Sequence, residues 1–114
     1  MSEPAPRRGD VWLADLDKVR PVVVLTRDPM GSLLNAVIGV PITSTVRGLS
    51  TEVSVGPEDG VRIPSVANLD NLQLVARIRL VRRVGRVRPS TMGAICTALS
   101  IAVGCDEYRA RTAR

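Results

Sequence analysis

Two continuous apolar runs in the first half of the chain constrain the fold more than any other feature. Residues 22–25 follow Arg20-Pro21, and residues 36–42 lead into the hydroxyl side chains of residues 43–45. Unbroken Val/Ile/Leu runs of this length are typical of strands that are buried on both faces. If the two strands are antiparallel neighbours, the start of the first lies beside the end of the second. Arg20 would then lie near the three hydroxyls, an arrangement that favours a phosphate site.

The same pattern also has an ordinary structural explanation. Proline is tolerated at the first position of a strand, so an Arg-Pro pair is common there. Ser and Thr are also frequent where strands end. From the pattern alone, the functional and the structural interpretations both stay open.

Length and composition predict one small domain with an aliphatic core. The chain has 114 residues, is 45% hydrophobic, and contains one Trp, one Tyr and no Phe. Histidine is absent, so any catalysis must proceed without imidazole, and we expect no metal site. No apolar run is long enough to span a bilayer and no signal peptide opens the chain, so we expect a cytoplasmic protein.

Basic residues are concentrated in the second half of the chain. The formal net charge is +5, and six arginines without an acid occupy residues 77–88. Such a stripe attracts polyanions, which favours nucleic acid as a partner. The alternative is a solvated face on which the arginine stems cover apolar surface.

Hydrophobic periodicity predicts a strand-rich domain with one helix. We expect strands at about 11–16, 20–26, 36–43, 51–55, 65–75 and 84–87. In the strand at 65–75 we expect a break near Asp70. A helical turn is expected within 77–84. An amphipathic stripe predicts a helix from Pro89-Ser90 to a C-terminal cap at Gly104. We predict a flexible N-terminus at 1–8, a single domain at 9–105 and a frayed basic tail at 106–114.

Several short motifs, taken in order, resemble the MazF/PemK toxins of type II toxin–antitoxin systems. They are Arg8-Gly9-Asp10-Val11-Trp12, Arg20-Pro21-Val22-Val23-Val24-Leu25, Pro41-Ile42-Thr43-Ser44, Glu52-Val53, Asn68-Leu69-Asp70-Asn71, Arg79-Leu80, Val84-Gly85-Arg86-Val87 and Met92…Ile95…Ala98-Leu99. The resemblance implies a mainly β (α+β) fold, a small SH3-like barrel of the plasmid-maintenance-toxin type with a C-terminal α-helix. It also implies a homodimer that is neutralised by a cognate MazE-like antitoxin.

The activity implied by the resemblance is metal-independent, sequence-specific cleavage of single-stranded RNA, which could be mRNA, tRNA or rRNA. The two catalytic positions of the family fall on Arg20 and Thr43. No cofactor is implied. Candidate RNA contacts are Lys18, Ser44, Thr45, Arg47, Asn71 and Arg79.

One departure from the family concerns the connection between the first two strands. Many members have a long loop there, which helps to hold RNA and sometimes contributes a Glu, whereas this chain has only Asp17-Lys18-Val19. Asp15 or Asp17 could replace that acid, although a hairpin or surface role is expected more often. Trp12 fits either base stacking or the core. Two non-catalytic alternatives are a module that binds DNA gyrase and a degenerate barrel that only titrates an antitoxin.

Overall fold

The computed structural model describes residues 5–105. These residues form a seven-stranded antiparallel sheet, four short 3-10 turns and one α-helix. The strands are β1 (Asp10–Asp15), β2 (Val19–Val24), β3 (Ala36–Thr43), β4 (Glu52–Val55), β5 (Ser65–Asn68), β6 (Gln73–Ala76) and β7 (Leu80–Arg86), and the helix is α1 (Pro89–Val103). The predicted mainly β fold with a C-terminal helix is confirmed.

The two apolar runs form neighbouring central strands, as predicted. The sheet order is β4-β5-β3-β2-β1-β7, and β6 pairs separately with β3. Along β2, Val23 belongs to one buried cluster while Val22 and Val24 belong to another. Because alternate side chains point to opposite faces of a strand, β2 is buried on both sides. This double burial explains the unbroken apolar run.

Strand β3 changes partners along its length. It pairs with β6 over residues 36–39, with β2 over 39–41 and with β5 over 42–43. Gly39 lies where β6 and β2 both pair with β3, and a Cβ there would lie 3.1 Å from a Val75 methyl. The exchange of partners separates β2 from β3 after residue 41, so a cleft opens at that end of the sheet.

Strand β7 is longer than the sequence predicted. The expected helical turn ends at Arg79 as a 3-10 turn (Arg77–Arg79), and the strand begins at Leu80 instead of 84. It pairs with β1 at one end of the sheet. Arg83 and Arg86 donate to the buried carboxylate of Asp10, at 3.2 and 2.9 Å. Charged residues are favoured on a strand at a sheet edge, which is why this segment lacks a strand-like apolar pattern.

The strands at the two ends of the sheet, β4 and β7, are joined by a turn and not by strand pairing. The 3-10 turn Pro57–Asp59 follows β4, and Gly60 after it has φ +82°. A Cβ on Gly85 of β7 would lie 2.7 Å from the Gly60 Cα, so only glycine permits this approach. The predicted barrel is therefore completed by backbone packing between this turn and β7.

Helix α1 has the predicted bounds and cap. It begins at Pro89, and Gly104 adopts the left-handed conformation with φ +67°. Thr91, Ile95 and Ala98 are buried. The helix contacts β4 and the 3-10 turn Leu69–Asn71, which interrupts the sheet at the break predicted near Asp70.

The start of the described chain contacts the sheet. The Arg7 N–H donates to Asp10 at 2.9 Å, and the Arg8 guanidinium donates to the Leu25 carbonyl and to Cys96 Sγ. The packed body thus includes part of the segment predicted to be flexible, while residues 1–4 and the predicted tail at 106–114 lie outside the described residues. No helix within 5–105 is long and apolar enough to cross a membrane.

Candidate active site

The register of β2 and β3 brings the predicted catalytic pair together. Val22 and Pro41 form the last pair between these strands, and Arg20 and Thr43 each lie two residues beyond it, at the same end of the sheet. Both side chains are half-buried. The strands part beyond Pro41, because β3 turns to β5. Arg20 and Thr43 therefore border the cleft between the two strands.

The cleft is a polar groove with a volume of about 780 Å³, within the range of ligand-binding clefts. It is built from the β1–β2 hairpin, the end of β3 and the residues around β5 and β6. Seven of the eight predicted site residues line it, namely Lys18, Arg20, Thr43, Ser44, Thr45, Arg47 and Asn71. Arg79 does not line it, and its guanidinium instead donates to the Asp15 carbonyl at 3.1 Å.

Asp17 in the β1–β2 hairpin contacts the Arg20 guanidinium directly. Arg20 Nε donates to Asp17 Oδ1 at 3.1 Å, and Arg20 Nη2 donates to Oδ2 at 3.3 Å. Hydrogen bonds from Arg20, and then from the Lys18 backbone, lower the pKa of Asp17. The bond to Asp17 raises the pKa of Arg20. Both groups therefore stay charged at neutral pH, and Arg20 is held as a fixed cation.

Thr43 presents its hydroxyl at the end of β3. Its Oγ1 accepts a hydrogen bond from the Thr45 N–H at 3.1 Å. This bond uses an acceptor site of the hydroxyl and leaves its proton available for donation. Thr43 can therefore donate a hydrogen bond to an anion in the groove.

The loop that carries Arg47 is held by an acid that the sequence analysis did not select. Glu52, at the start of β4, accepts from the backbone N–H groups of Arg47 and Leu49, at 3.0 to 3.2 Å. Its carboxylate also lines the groove. All three bonds go to backbone donors, and the Arg47 guanidinium makes no ion pair with an acid among residues 5–105. Arg47 and Lys18 are thus cations that an anionic ligand can reach.

The opposite wall is organised by a polar network around the turn Leu69–Asn71. The side chain of Asn68 accepts from the Asp70 N–H at 2.9 Å, and Asp70 accepts from the Thr51 hydroxyl at 2.7 Å. Asn68 and Gln73 join Asn71 in lining the groove. Sequence reasoning missed Asn68 and Gln73 because the facing of 65–75 could not be fixed across the break near Asp70.

Two other sequence hypotheses are settled by burial and contacts. Trp12 is 3% exposed and packs in the core, so it does not stack a base. In the arginine stripe most guanidinium groups already have partners in this chain: Arg83 and Arg86 bind Asp10, Arg88 binds Glu58 and Asp59, and Arg77 binds the carbonyls of Ser32 and Leu34. The accessible cations of the groove come from the first half of the chain.

Metal-ligating side chains do not cluster in the part of the chain that the structure describes. Residues 5–105 contain no group of three or more His, Cys, Asp or Glu side chains that could hold a metal ion. Cys96 and Cys105 are both free thiols.

Comparison with known proteins identifies the family of this chain. Residues 7–103 match the family described as PemK-like, MazF-like toxin of type II toxin–antitoxin system. The probable endoribonuclease MazF5 of Mycobacterium tuberculosis is 43% identical over 104 residues, covering 89% of this chain and 95% of the relative.

Two solved structures share the fold of this chain. The Mycobacterium tuberculosis toxin MazF-mt6 superposes with a TM-score of 0.80 at 40% identity, covering 83% of this chain and 96% of that one. An endoribonuclease from a mycobacterial species, solved in complex with its cognate antitoxin, superposes with a TM-score of 0.81 at 34% identity, covering 88% and 96%. The chain belongs to the PemK-like, MazF-like toxins of type II toxin–antitoxin systems and is an endoribonuclease of the MazF type.

Proposed function

We propose that this toxin cleaves single-stranded RNA without a metal ion, with Arg20 and Thr43 as its catalytic residues. The observation that supports the proposal is that Arg20, a fixed cation, and Thr43, a hydroxyl donor, line the same polar groove, each two residues beyond the last β2–β3 pair. RNA supplies its own nucleophile, so the protein's task is to hold the attack geometry and stabilise charge. This task suits a site that contains no imidazole.

The cleavage step transfers the phosphorus from one oxygen to another. The 2′-hydroxyl loses its proton to solvent and its oxygen bonds to phosphorus. The bond from phosphorus to the 5′-oxygen breaks, and that oxygen takes up a proton from solvent. The products carry a 2′,3′-cyclic phosphate and a 5′-hydroxyl. Arg20 stabilises the added negative charge on the non-bridging oxygens, and the Thr43 hydroxyl donates to one of them.

Arg20 acts as an electrostatic group in this proposal, and not as an acid or base. A guanidinium has a pKa above about 12, which makes it a poor proton donor at neutral pH. The contact with Asp17 raises the pKa of Arg20 further. The requirement for a 2′-hydroxyl also makes RNA, and not DNA, the substrate.

The remaining groove residues divide into cations and neutral hydrogen-bonding groups. Lys18 and Arg47 suit contacts with flanking phosphates. Ser44, Thr45 and Asn71 suit hydrogen bonds to base edges, which would give sequence specificity. Arg79 is not included, because it lies outside the groove lining and donates to the Asp15 carbonyl.

The partners in this proposal are RNA of the mRNA, tRNA or rRNA class, a cognate MazE-like antitoxin and a second copy of the toxin, all in the cytoplasm. An acidic antitoxin segment would complement Lys18 and Arg47 in the groove. The related mycobacterial endoribonuclease was solved in complex with its cognate antitoxin.

The test is cleavage of a long RNA by the antitoxin-free protein in EDTA, with the ends mapped. We expect discrete cuts with 2′,3′-cyclic phosphate and 5′-hydroxyl ends, and no cuts by Arg20→Ala. Arg27→Ala is the control, because Arg27 is an exposed arginine that does not line the groove. Cutting by Arg20→Ala at the wild-type rate would overturn the site assignment.

A further inference from the structure

Asp17 is the least expected member of the groove. A site for RNA phosphates should repel a carboxylate, yet Asp17 lines the groove and is 71% exposed. The exposure shows that burial does not force the contact with Arg20. The carboxylate also accepts from the Lys18 backbone, but the hairpin turn has a bond of its own, since the Leu16 N–H donates to the Lys18 carbonyl at 3.2 Å.

The contact occupies the part of Arg20 that a phosphate needs. Two parallel N–H groups of a guanidinium bind a carboxylate or a phosphate in the same bidentate manner. Here Nε and Nη2 both donate to Asp17, one to each carboxylate oxygen. A phosphate cannot use that edge of the guanidinium while Asp17 holds it.

The same contact is weak enough to be exchanged. The Arg20 side chain is 32% exposed, and ion pairs between exposed groups in water contribute little net stability. An incoming RNA phosphate would replace one oxyanion with another at no loss of hydrogen bonds. Displacement is favourable only if other groups hold the RNA, because the freed carboxylate then lies close to the phosphate and repels it.

We propose that Asp17 is a displaceable occupant of the phosphate site, which orients Arg20 in the empty groove and rejects anions that the rest of the groove does not hold. This inference rests on the proposed function, because it takes Arg20 as the ligand of the scissile phosphate. Asp17 is a positioning residue, which acts through Arg20. A repulsive group of this kind gives specificity by penalising the wrong ligand more than the right one.

The experiment compares Asp17→Asn with wild type in binding and in turnover. The probe is an RNA oligonucleotide spanning a mapped cut site, with a 2′-deoxy nucleotide at the attacking position so that it binds without being cut. A second oligonucleotide of equal length lacks the recognised sequence. The uncut RNA with its normal 2′-hydroxyl gives kcat. Asp15→Asn is the matched control, since Asp15 is an exposed acid of the same hairpin whose side chain does not line the groove.

We expect Asp17→Asn to bind both oligonucleotides more tightly, by about fivefold for the one that lacks the recognised sequence and by about twofold for the one that contains it, since the repulsion between a carboxylate and a phosphate a few ångströms apart is lost. The ratio between the two affinities should fall, and kcat should fall about tenfold because Arg20 is less well oriented. Tighter binding together with slower turnover is a combination that simple damage to the hairpin would not produce. Asp15→Asn should change neither.

Unchanged or weaker binding by Asp17→Asn would overturn the inference. The Arg20→Ala variant separates this failure from failure of the proposed function. If Arg20→Ala cannot cut RNA and Asp17→Asn binds as wild type does, only the role of Asp17 is wrong. If Arg20→Ala cuts normally, the proposed function is wrong and the inference falls with it.

Discussion

The buried carboxylate of Asp59 should be among the most important side chains for stability. It is fully buried, in the turn that completes the barrel beside the start of α1. Its Oδ1 accepts from the Arg88 N–H and the Thr91 hydroxyl, both at 2.9 Å, and its Oδ2 accepts from the Gly56 N–H at 3.3 Å. Arg88 at the N-cap of α1 provides no side-chain cap, so Asp59 acts as the cap from another segment.

Substitution by Asn should lower the free energy of unfolding by about 3 kcal/mol. The Asn carbonyl can replace Oδ1, but its NH2 group would face two donors, the Gly56 N–H and Arg88 Nη2. Hydrogen bonds to charged groups are worth about 1.5–3 kcal/mol each, and breaking a buried charge pair costs about 3–5 kcal/mol. For a domain of this size, the melting temperature should fall by roughly 15 °C.

The pH dependence of the free energy of unfolding in acid provides a second test of the role of Asp59. Burial raises the pKa of Asp59, but hydrogen bonds from the Arg88 backbone and side chain, Thr91 and Gly56 outweigh it, and the net pKa lies below the ordinary value of 3.8. A depressed pKa means that this stabilisation is fully present above the unfolded-state pKa and is lost as the pH falls through the folded-state pKa. The stability difference between wild type and Asp59→Asn should therefore be constant above about pH 5 and shrink below about pH 4.

The assay is thermal and urea unfolding at one fixed protein concentration, repeated from pH 7 to pH 3. Glu58→Gln is the control, because Glu58 contacts Arg88 from an exposed position, and its removal should move the midpoint by only a few degrees at most. The reasoning is refuted if Asp59→Asn unfolds within about 1 kcal/mol of wild type at pH 7, or if the difference does not shrink in acid.

Two further predictions concern single atoms. Thr43→Val should reduce cleavage at least about a hundredfold while Thr43→Ser keeps most of it, because only Val removes the hydroxyl donor; equal rates for Val and Ser in a single-turnover assay would contradict this. Gly85→Ala should destabilise the fold by about 1–3 kcal/mol, since its Cβ would meet the Gly60 Cα at 2.7 Å. Gly93→Ala, at an open position of α1, should instead stabilise it by about 0.5–1 kcal/mol, and a urea titration in which both variants shift the same way would exclude the packing argument.

The sequence predicted best those elements whose pattern reflects burial alone. Strand β3 was predicted at 36–43 and lies at Ala36–Thr43, with Val37 buried on one face and Val40 and Ile42 on the other, although Ile38 is exposed. Helix α1 followed from its stripe and its glycine cap. The predicted beginning of β7 was wrong. In the structure Arg83 and Arg86 are held in this strand by hydrogen bonds to Asp10, which lies more than seventy residues earlier in the chain.

The candidate site was predictable to the extent that it depends on strand register. Antiparallel pairing brings Arg20 and Thr43 to the same end of the sheet, where both line the groove, and that could be inferred from two strands and a loop. The contact between Asp17 and Arg20 depends on side-chain directions in a three-residue turn, which no sequence period specifies. The role of Glu52 depends on two backbone N–H groups of a loop without regular structure.

The central claim is that one guanidinium and one hydroxyl in the same groove promote cleavage of RNA by internal attack. The most direct measurement is the chemistry of the ends left by wild type and by Arg20→Lys on the same RNA in EDTA. The account predicts 2′,3′-cyclic phosphate and 5′-hydroxyl ends from wild type. It predicts at least about a hundredfold slower cutting by Arg20→Lys, since an ammonium keeps the charge but loses the bidentate fork. Ends with a 5′-phosphate, or cutting that is unchanged in Arg20→Lys, would contradict it.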